Sequence, residues 1–551
     1  MSKRRKGLLN QLNNNELRDR SRIRTEINRL TADIRRRLKV LRGETADCLA
    51  AVINNTDESR KMFEAVRQLS CAGTTEPVSV FGDSDELVFN SSDKAHLIRR
   101  YFSDHYTCPE DEVPLTPFIG TARPLNSPIT SEEVKFAASK LRNGKAVGPD
   151  GIPNELLKYA TPSFYDRFAT LLNRCFETHE AVPSFTEGYL APLQKPGKPK
   201  GPLKSIRPLC LLNGTRKILS VLVLHRIREC VGHYTGPWQN AYKAGHSTAN
   251  IVWAQKILIS VVKEKHWEFH KMGIDMSSAF DTIKRSVLLD VLQDAGCSED
   301  DIRLVRFMLA DTKLRVKVED CLSEEFDVTI GAFQGDSLSG ILFTLYLAGA
   351  LNHLRAVTSN HRPNPPIQDN FLPVEWEYAD DVDLIDENPN NLTALLPVCK
   401  EVLSEWNLHV NETKTEFVHF HLANKDEVDH KGEPVKDRES WRSNISLGSK
   451  LCCKEDIERR CTLANAAFRK YRAVWEQGPR ISLTARLKVY EAQVVSVLLY
   501  NCNSWAVPKH ILNTIDVCHR KHLRSILQIR YPHCISNATL YKRCGTTPLS
   551  E

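Results

Sequence analysis

A chain of 551 residues, 41% of them apolar and 26% charged, is long enough for three or four domains and has the composition of a soluble globular protein. No apolar run approaches the roughly 18 residues that span a bilayer, and the opening Met1-Ser2-Lys3-Arg4-Arg5-Lys6 lacks the apolar core of a secretory signal. Neither a secreted nor a membrane protein is therefore expected. The 16 cysteines are scattered, with Cys452-Cys453 the closest pair and no Cys-x-x-Cys motif, which predicts free thiols inside the cell, in the nucleus, the cytoplasm or both.

The net charge of +7 is concentrated at the start, where residues 3–42 hold 14 Lys and Arg against 4 Asp and Glu. Ile23, Ile27, Leu30, Ile34, Leu38 and Leu41 recur there at helical spacing, which predicts one amphipathic helix with a basic outer surface. Such a surface suits the neutralisation of nucleic-acid phosphates. A shorter helix is expected over 54–69, so residues 1–70 read as a basic helical extension. From 71 to 129, Ser, Thr, Pro and Asp dominate around one helical island, Ser92 to Tyr106, and the segment reads as a linker region.

Thr130-Ser131-Glu132-Glu133 is a cap signal for a helix reaching Leu141. Residues 142–153 form a basic loop with three glycines (Gly144, Gly148, Gly151) and two prolines, suited to close backbone approach to a polyanion. After helices from Asn154 and over 162–178, a strand from Tyr189 enters Lys195-Pro196-Gly197-Lys198 and returns through Ile206-Arg207-Pro208-Leu209, so that Lys195 and Arg207 flank one hairpin. Helices over 214–230 and 247–264 lead to a short strand ending at Asp275. A helix over 283–295 stops at Gly296, and Ser298 with Asp301 caps the next. Alternating strands at 314–318 and 325–330 feed the loop Gly331–Gly340, which opens an apolar helix. Val374, Trp376 and Tyr378, then Val382 and Leu384, alternate around Ala379-Asp380-Asp381, the pattern of strand, tight turn, strand. A helix over 392–406, with Pro397 as a kink or a start, and a strand at 415–420 complete a domain over 130–445 that includes the charged, exposed stretch 422–442. Residues 446–551 read as wholly helical, with helices at 454–477, 482–500 and 510–527.

Adjacent carboxylates in a hairpin turn repel unless a cation lies beside them. Asp275 precedes Asp380 by 105 residues, so only a fold that lays their strands side by side joins them. Carboxylates so placed hold two hard divalent cations about 3.5–4 Å apart, the site of in-line nucleotidyl transfer.

In this order, Asp275 with Ala279-Phe280-Asp281, Phe333-Gln334-Gly335-Asp336-Ser337-Leu338-Ser339, and Tyr378-Ala379-Asp380-Asp381 resemble motifs A, B and C of reverse transcriptases. The likeness is to the non-LTR, LINE-type retrotransposon branch. Asn143-Gly144-Lys145 with Gly148-Pro149-Asp150-Gly151, the Lys195 turn and Arg207-Pro208-Leu209 are similar to its finger motifs, and Asn411-Glu412-Thr413-Lys414-Thr415 to motif D. The resemblance implies an α+β right-hand polymerase with fingers, palm and a helical thumb, extending a DNA primer on an RNA template with dNTPs and two Mg²⁺ ions, or Mn²⁺ in their place. It also implies that Asp275, Asp380 and Asp381 are the catalytic, metal-binding carboxylates, with Asp380 paired to Asp275 and Asp381 a supporting charge. By the same resemblance Phe280 lies under the sugar and selects deoxynucleotides, Lys195 and Arg207 hold the triphosphate, Gln334 and Gly335 abut the templating pair, and Lys414 acts near the leaving pyrophosphate.

The sequence departs from the family at two places. In Gln239-Asn240-Ala241-Tyr242-Lys243-Ala244-Gly245-His246-Ser247-Thr248, Ala, Tyr and His stand where Gly, Phe and a basic residue are usual, and Ser337 and Gly340 replace the prolines that bracket the Leu-Ser of motif B. No apurinic-type endonuclease fits ahead of residue 130, and no RNase H follows the thumb, so a partial element is expected. A decayed or repurposed protein that binds nucleic acid without catalysis is the alternative. Cys518, His519, His522, His533 and Cys534 have the spacing of no zinc knuckle.

Overall fold

The computed structural model describes residues 17–551 apart from 57, 71–77, 83, 108–122, 179–181, 266–267, 278, 359–374, 421–440, 442–443 and 479. The basic residues 3–16, part of the linker region, Val374 and most of the charged stretch 422–442 thus lie outside the described residues. The chain forms two compact units: Met1–Glu76 with Cys453–Cys502 and Ala506–Glu551, and Pro77–Cys452 with Asn503–Trp505.

In the first unit the N-terminal helices join the C-terminal ones. Helix Leu17–Asn55 buries Ile27 and Leu30 early and Ala46, Ala50 and Ile53 late, while Leu38 and Leu41 of the expected stripe are 45% and 57% exposed. The stripe is therefore two short faces interrupted by the exposed basic run Arg35–Lys39. The later face is tied down by polar contacts. Asp47 pairs with Arg480 at 2.9 Å, and the Asn54 side chain donates to the Arg480 carbonyl at 2.6 Å and accepts from the Ser482 amide at 2.8 Å. Helices Cys453–Lys470, Leu483–Tyr490, Lys509–Ile526 and Asn537–Cys544 also belong to this unit. The helix expected to reach Tyr500 passes into a π turn at Glu491–Val495. His519 and His522 are buried against the Tyr490 hydroxyl, at 2.9 and 3.3 Å, as core residues of the helical packing.

The second unit carries two four-stranded sheets, built from β1 (Glu187–Gln194), β2 (Ile206–Leu212), β3 (Phe269–Ile274), β4 (Thr312–Val318), β5 (Cys321–Val328), β6 (Glu375–Tyr378), β7 (Asp381–Asp386) and β8 (Glu416–Phe420). One sheet has the order β8-β3-β7-β6, all antiparallel. The other has the order β2-β1-β4-β5, with β1 and β4 parallel. Strand β3 is buried on both faces. Met272 and Ile274, with Val382 and Leu384 from β7, enter the main core, while Phe269 packs with Trp376, Ile385, Val418 and Phe420 in a second cluster. This is the period of two expected of a strand, with both sets buried because helices cover the sheet.

Helix Ser339–Thr358 is the axis of the main core. It is long and apolar enough to cross a membrane, although no apolar run of that length was expected, but 67% of its apolar stretch is buried within the protein, which makes it a core helix. Pro397 lies inside helix Pro389–Glu405. Among the described residues the expectation of free thiols fails at one place: Cys230 and Cys297, with Cα atoms 5.8 Å apart, are joined as a disulfide. Their separation of 67 residues gives no local signal in the sequence; the fold brings them together.

Buried Arg285 binds several elements of this unit. Its guanidinium donates to the carbonyls of Leu309 (2.5 Å), Val328 (2.7 Å) and Gly331 (3.0 Å) and to the Thr312 hydroxyl (2.8 Å). The Arg285→Met variant leaves these acceptors without their donor in the core and is expected to lose about 3 kcal/mol of stability, read as a lowered urea midpoint with an unchanged slope.

Candidate active site

Strand β3 pairs with β7 in a register that sets Ile274 opposite Val382. One step beyond that pair, Asp275 and Asp381 follow on neighbouring strands. The hairpin between β6 and β7 has Tyr378 opposite Asp381, so Ala379 and Asp380 form its two-residue turn. Ala379 has φ +55°, a positive value at the first central position that right-twisted hairpins favour and glycine usually supplies. An alanine there costs about 1–2 kcal/mol. The turn parts two concavities. Asp380 faces a cleft of about 670 Å³ that Lys195, Arg207, Phe280, Gln334 and Gly335 also line. Asp381 lines a cavity of about 400 Å³ with Asp275 and Lys414.

Crowding of carboxylates controls the electrostatics. Burial, then the charge of Asp275, raises the Asp380 carboxyl above its ordinary range. Burial and then Asp380, Asp383 and Asp275 push Asp381 up to about 6, against the opposing charge of Lys271. Although Asp381 as a residue is open to solvent, its carboxyl sits within a cluster of like charges. Two lysines answer part of this field. Lys414 Nζ bonds Asp275 Oδ2 at 2.7 Å, and Lys271 pairs with Asp383 at 3.1 Å, where Gln255 Nε2 also donates at 3.0 Å.

The wall of the cleft is built by the motif B loop. Gln334 accepts from the Cys210 amide at 2.7 Å, which fastens the loop to β2 near Arg207. Its carboxamide donates to both Asp281 oxygens, at 3.1 and 3.2 Å. Gly335 has φ +118°, and a Cβ there would lie 2.7 Å from the Cys210 carbonyl oxygen, so only glycine fits. Asp336 forms a buried ion pair with Arg216 at 3.3 Å. Phe280 stacks on Phe343 with centroids 4.3 Å apart while lining the cleft, so it is part core and part surface. Lys195 donates to the Lys204 carbonyl at 2.9 Å; burial, with Arg207 and Lys198 nearby, lowers its pKa while Asp281 raises it.

Sequence reasoning missed several participants. The helical island in the expected linker, Ser91–His105, supplies Tyr101 and His105 to the cleft, and the adjoining Tyr106 hydroxyl donates to Asp281 at 2.9 Å. Burial raises the Asp281 carboxyl, against Tyr106, His105 and Gln334, which favour its charge. The two departures from the family pattern meet: a Cβ at Gly340 would lie 2.5 Å from the Tyr242 ring. Tyr242 lines the cleft, and burial together with the Asp380 charge raises its phenol pKa. A one-residue reading of either position shows no such pairing.

Residues 194–450 match the family described as reverse transcriptase (RNA-dependent DNA polymerase). This span holds Lys195, Arg207, Asp275, Gln334, Asp380, Asp381 and Lys414. These residues form a reverse transcriptase domain. Its mixed helices and sheets are the α+β right-hand polymerase fold. The chain is 23% identical over 419 residues to the RNA-directed DNA polymerase from mobile element jockey of Drosophila melanogaster, covering 73% of this chain and 44% of that protein. It is 22% identical over 439 residues to the probable RNA-directed DNA polymerase from transposon BS of the same fly, covering 77% and 47%. The chain thus spans about half the length of the curated relatives it matches. Among solved structures, telomerase from Candida albicans in complex with a fragment of telomeric RNA aligns with a TM-score of 0.36 at 13% identity, over 64% of this chain and 66% of that one.

Two outcomes are expected of the reverse transcriptase site. Gly335→Ala forces a Cβ into the Cys210 carbonyl at a positive φ, so the variant should lose roughly 1–3 kcal/mol of stability, measured by urea unfolding. For Asp381, a folded pKa of about 6 above an ordinary 3.8 means that the metal-free fold holds a proton more tightly than the unfolded chain. Stability then falls as pH rises from about 4 through about 6. Asp381→Asn should be more stable than wild type by about 1 kcal/mol at pH 7.5 in EDTA, discounted for solvent, and equal to it near pH 4, read by urea unfolding.

Proposed function

We propose that this chain is the RNA-directed DNA polymerase of a non-LTR retrotransposon, adding dNTPs to a DNA primer on an RNA template inside the cell. The observation that carries this reading is that Asp275 and Asp381 follow the last pair of antiparallel β3 and β7 and share one cavity, while Asp380, next in the turn, faces the cleft that Lys195 and Arg207 also line. The names of the mobile-element relatives support it.

By the chemistry of their donors the three carboxylates would hold divalent ions, Mg²⁺ or Mn²⁺, although among the described residues no three such side chains converge on one point in this structure. They are hard oxygen donors, and the raised carboxyl pKa values of Asp380 and Asp381 are the mark of a site short of positive charge. Such ions supply acidification of the primer hydroxyl and neutralisation of charge on the departing pyrophosphate. The chain's own residues do the rest. Lys414 holds the Asp275 carboxylate in place through a charge-assisted bond. Arg207 and Lys195 take up triphosphate charge at the cleft's rim. Phe280, backed by Phe343, presents a rigid ring beneath the sugar, where a 2′-hydroxyl has no room. Gly335 lets the templating pair approach backbone closely, and the bond to Asp281 keeps the Gln334 carboxamide from swinging across the pair.

Primer extension on poly(rA) with oligo(dT) tests this. Wild type is expected to add dTMP in Mg²⁺ or Mn²⁺, Asp275→Ala and Asp380→Ala to lose roughly a thousandfold in rate, and Asp381→Asn to lose less. A wild type that adds nothing, or an Asp380→Ala variant that adds as much, ends the proposal.

A further inference from the structure

The Asp380 turn is held by a side chain to which neither the motifs nor the comparisons assign a role. Gln239 lies in the segment between helices Gly214–Tyr234 and Thr248–Lys265 and is 1% exposed. Its Oε1 accepts from the Ala379 amide at 3.0 Å and from the Ala241 amide at 2.9 Å. Its Nε2 donates to Glu377 Oε2 at 3.3 Å. Two N–H donors face the oxygen only, so the carboxamide has one orientation that satisfies its surroundings.

The backbone beside it makes the same connection. Strand β6 is the edge of its sheet, and an edge leaves alternate amides and carbonyls unpaired. The segment covers that edge: Gln239 bridges Glu377 in parallel, the Glu377 amide donates to the Trp238 carbonyl at 3.1 Å, and the Glu377 carbonyl accepts from the Asn240 amide at 2.9 Å. Glu377 is itself 1% exposed. On its other side it accepts from Arg355 at 3.2 Å, and Glu375 and Lys243 supply the remaining nearby charges. Gln239 is thus anchored at one end to a buried carboxylate and at the other to the first residue of the turn.

We infer that Gln239 is a positioning residue for polymerisation: by bonding the Ala379 amide it holds the turn in its positive-φ conformation and so aims Asp380 into the cleft. The physical reason is specific to this turn. Ala379 occupies a region that a residue with a Cβ avoids, and Asp380 and Asp381 repel each other across it. Left alone, a two-residue turn under that repulsion relaxes toward other conformations. An acceptor fixed in the core removes that freedom, and the cost of misplacing a catalytic group by about an ångström is large. The same segment delivers Tyr242 to the cleft beside Asp380, so the turn and one wall of the cleft share one support.

The inference rests on the polymerase reading for its consequence but not for its measurement. Amide hydrogen exchange across residues 378–381 in the full chain, read beside steady-state kinetics, tests it. Gln239→Leu keeps much of the volume and removes the acceptor; exchange in this segment should quicken roughly tenfold or more, with kcat down roughly tenfold and KM for dTTP within about threefold of wild type. Gln239→Glu combined with Glu377→Gln reverses the polarity of one bond and keeps an acceptor for both amides. It should return exchange to within about threefold of wild type and recover most of kcat, which a merely space-filling role would not predict. Wild-type exchange in Gln239→Leu, quickened exchange with unchanged kcat, or a double variant as unprotected as Gln239→Leu would each overturn the inference. If Gln239→Leu does not fold, Gln239→Met, unbranched and also without the acceptor, serves in its place. Wild-type exchange at 378–381 in that variant overturns the inference. A wild type protected at 378–381 that adds no dTMP defeats the polymerase reading and leaves the clamp on the turn standing.

Discussion

Mutual repulsion among carboxylates is the constraint around which the second unit is arranged. Asp275, Asp380, Asp381 and Asp383 stand within reach of one another's fields at the ends of β3 and β7. Nothing in the folding of a hairpin rewards such a cluster. The fold bears it by surrounding the strands with apolar burial on both faces, and by placing Lys271 and Lys414 against two of the four charges. The two left without a lysine partner among the described residues, Asp380 and Asp381, are those whose carboxyls titrate high.

Rigidity is supplied from outside the site. The motif B loop hangs from β2 by the Gln334–Cys210 bond and from the core by the Arg216–Asp336 pair. Arg285 ties its start to the neighbouring sheet. On the opposite side, the segment around Gln239 closes the edge of the sheet. A buried arginine is a weak source of net stability but a strong constraint on geometry, because its planar donors have few satisfactory arrangements. That suits a site whose function depends on where oxygens point.

The departures from the family pattern acquire a local explanation. Replacing a proline by Gly340 frees the start of helix Ser339–Thr358 from a ring, and the space is filled by the ring of Tyr242. Two of the departures, Tyr242 and Gly340, therefore belong to one packing contact at the wall of the cleft, and they leave the carboxylates and their supports in place. In the first unit the basic N-terminal helix is likewise part of a packed body, joined to the C-terminal helices through Asp47 and Asn54.

The sequence by itself determined the elements and the chemistry. Strand alternation placed Asp275 and Asp380-Asp381 at strand ends, the cap residues Thr130 and Ser298 marked helix starts that the structure reproduces, and the order of the motifs identified the family. These are signals of local period and residue type, legible over a few positions. What only the tertiary structure decided lies between distant segments. Tyr106 on Asp281, Gln239 on Ala379, Tyr242 on Gly340 and Cys230 on Cys297 join residues 67 to 175 apart. Such contacts depend on which strand edge a loop covers and which helix faces which. A glutamine in an irregular segment carries no period and no charge, so its role appears only when the turn it holds is beside it.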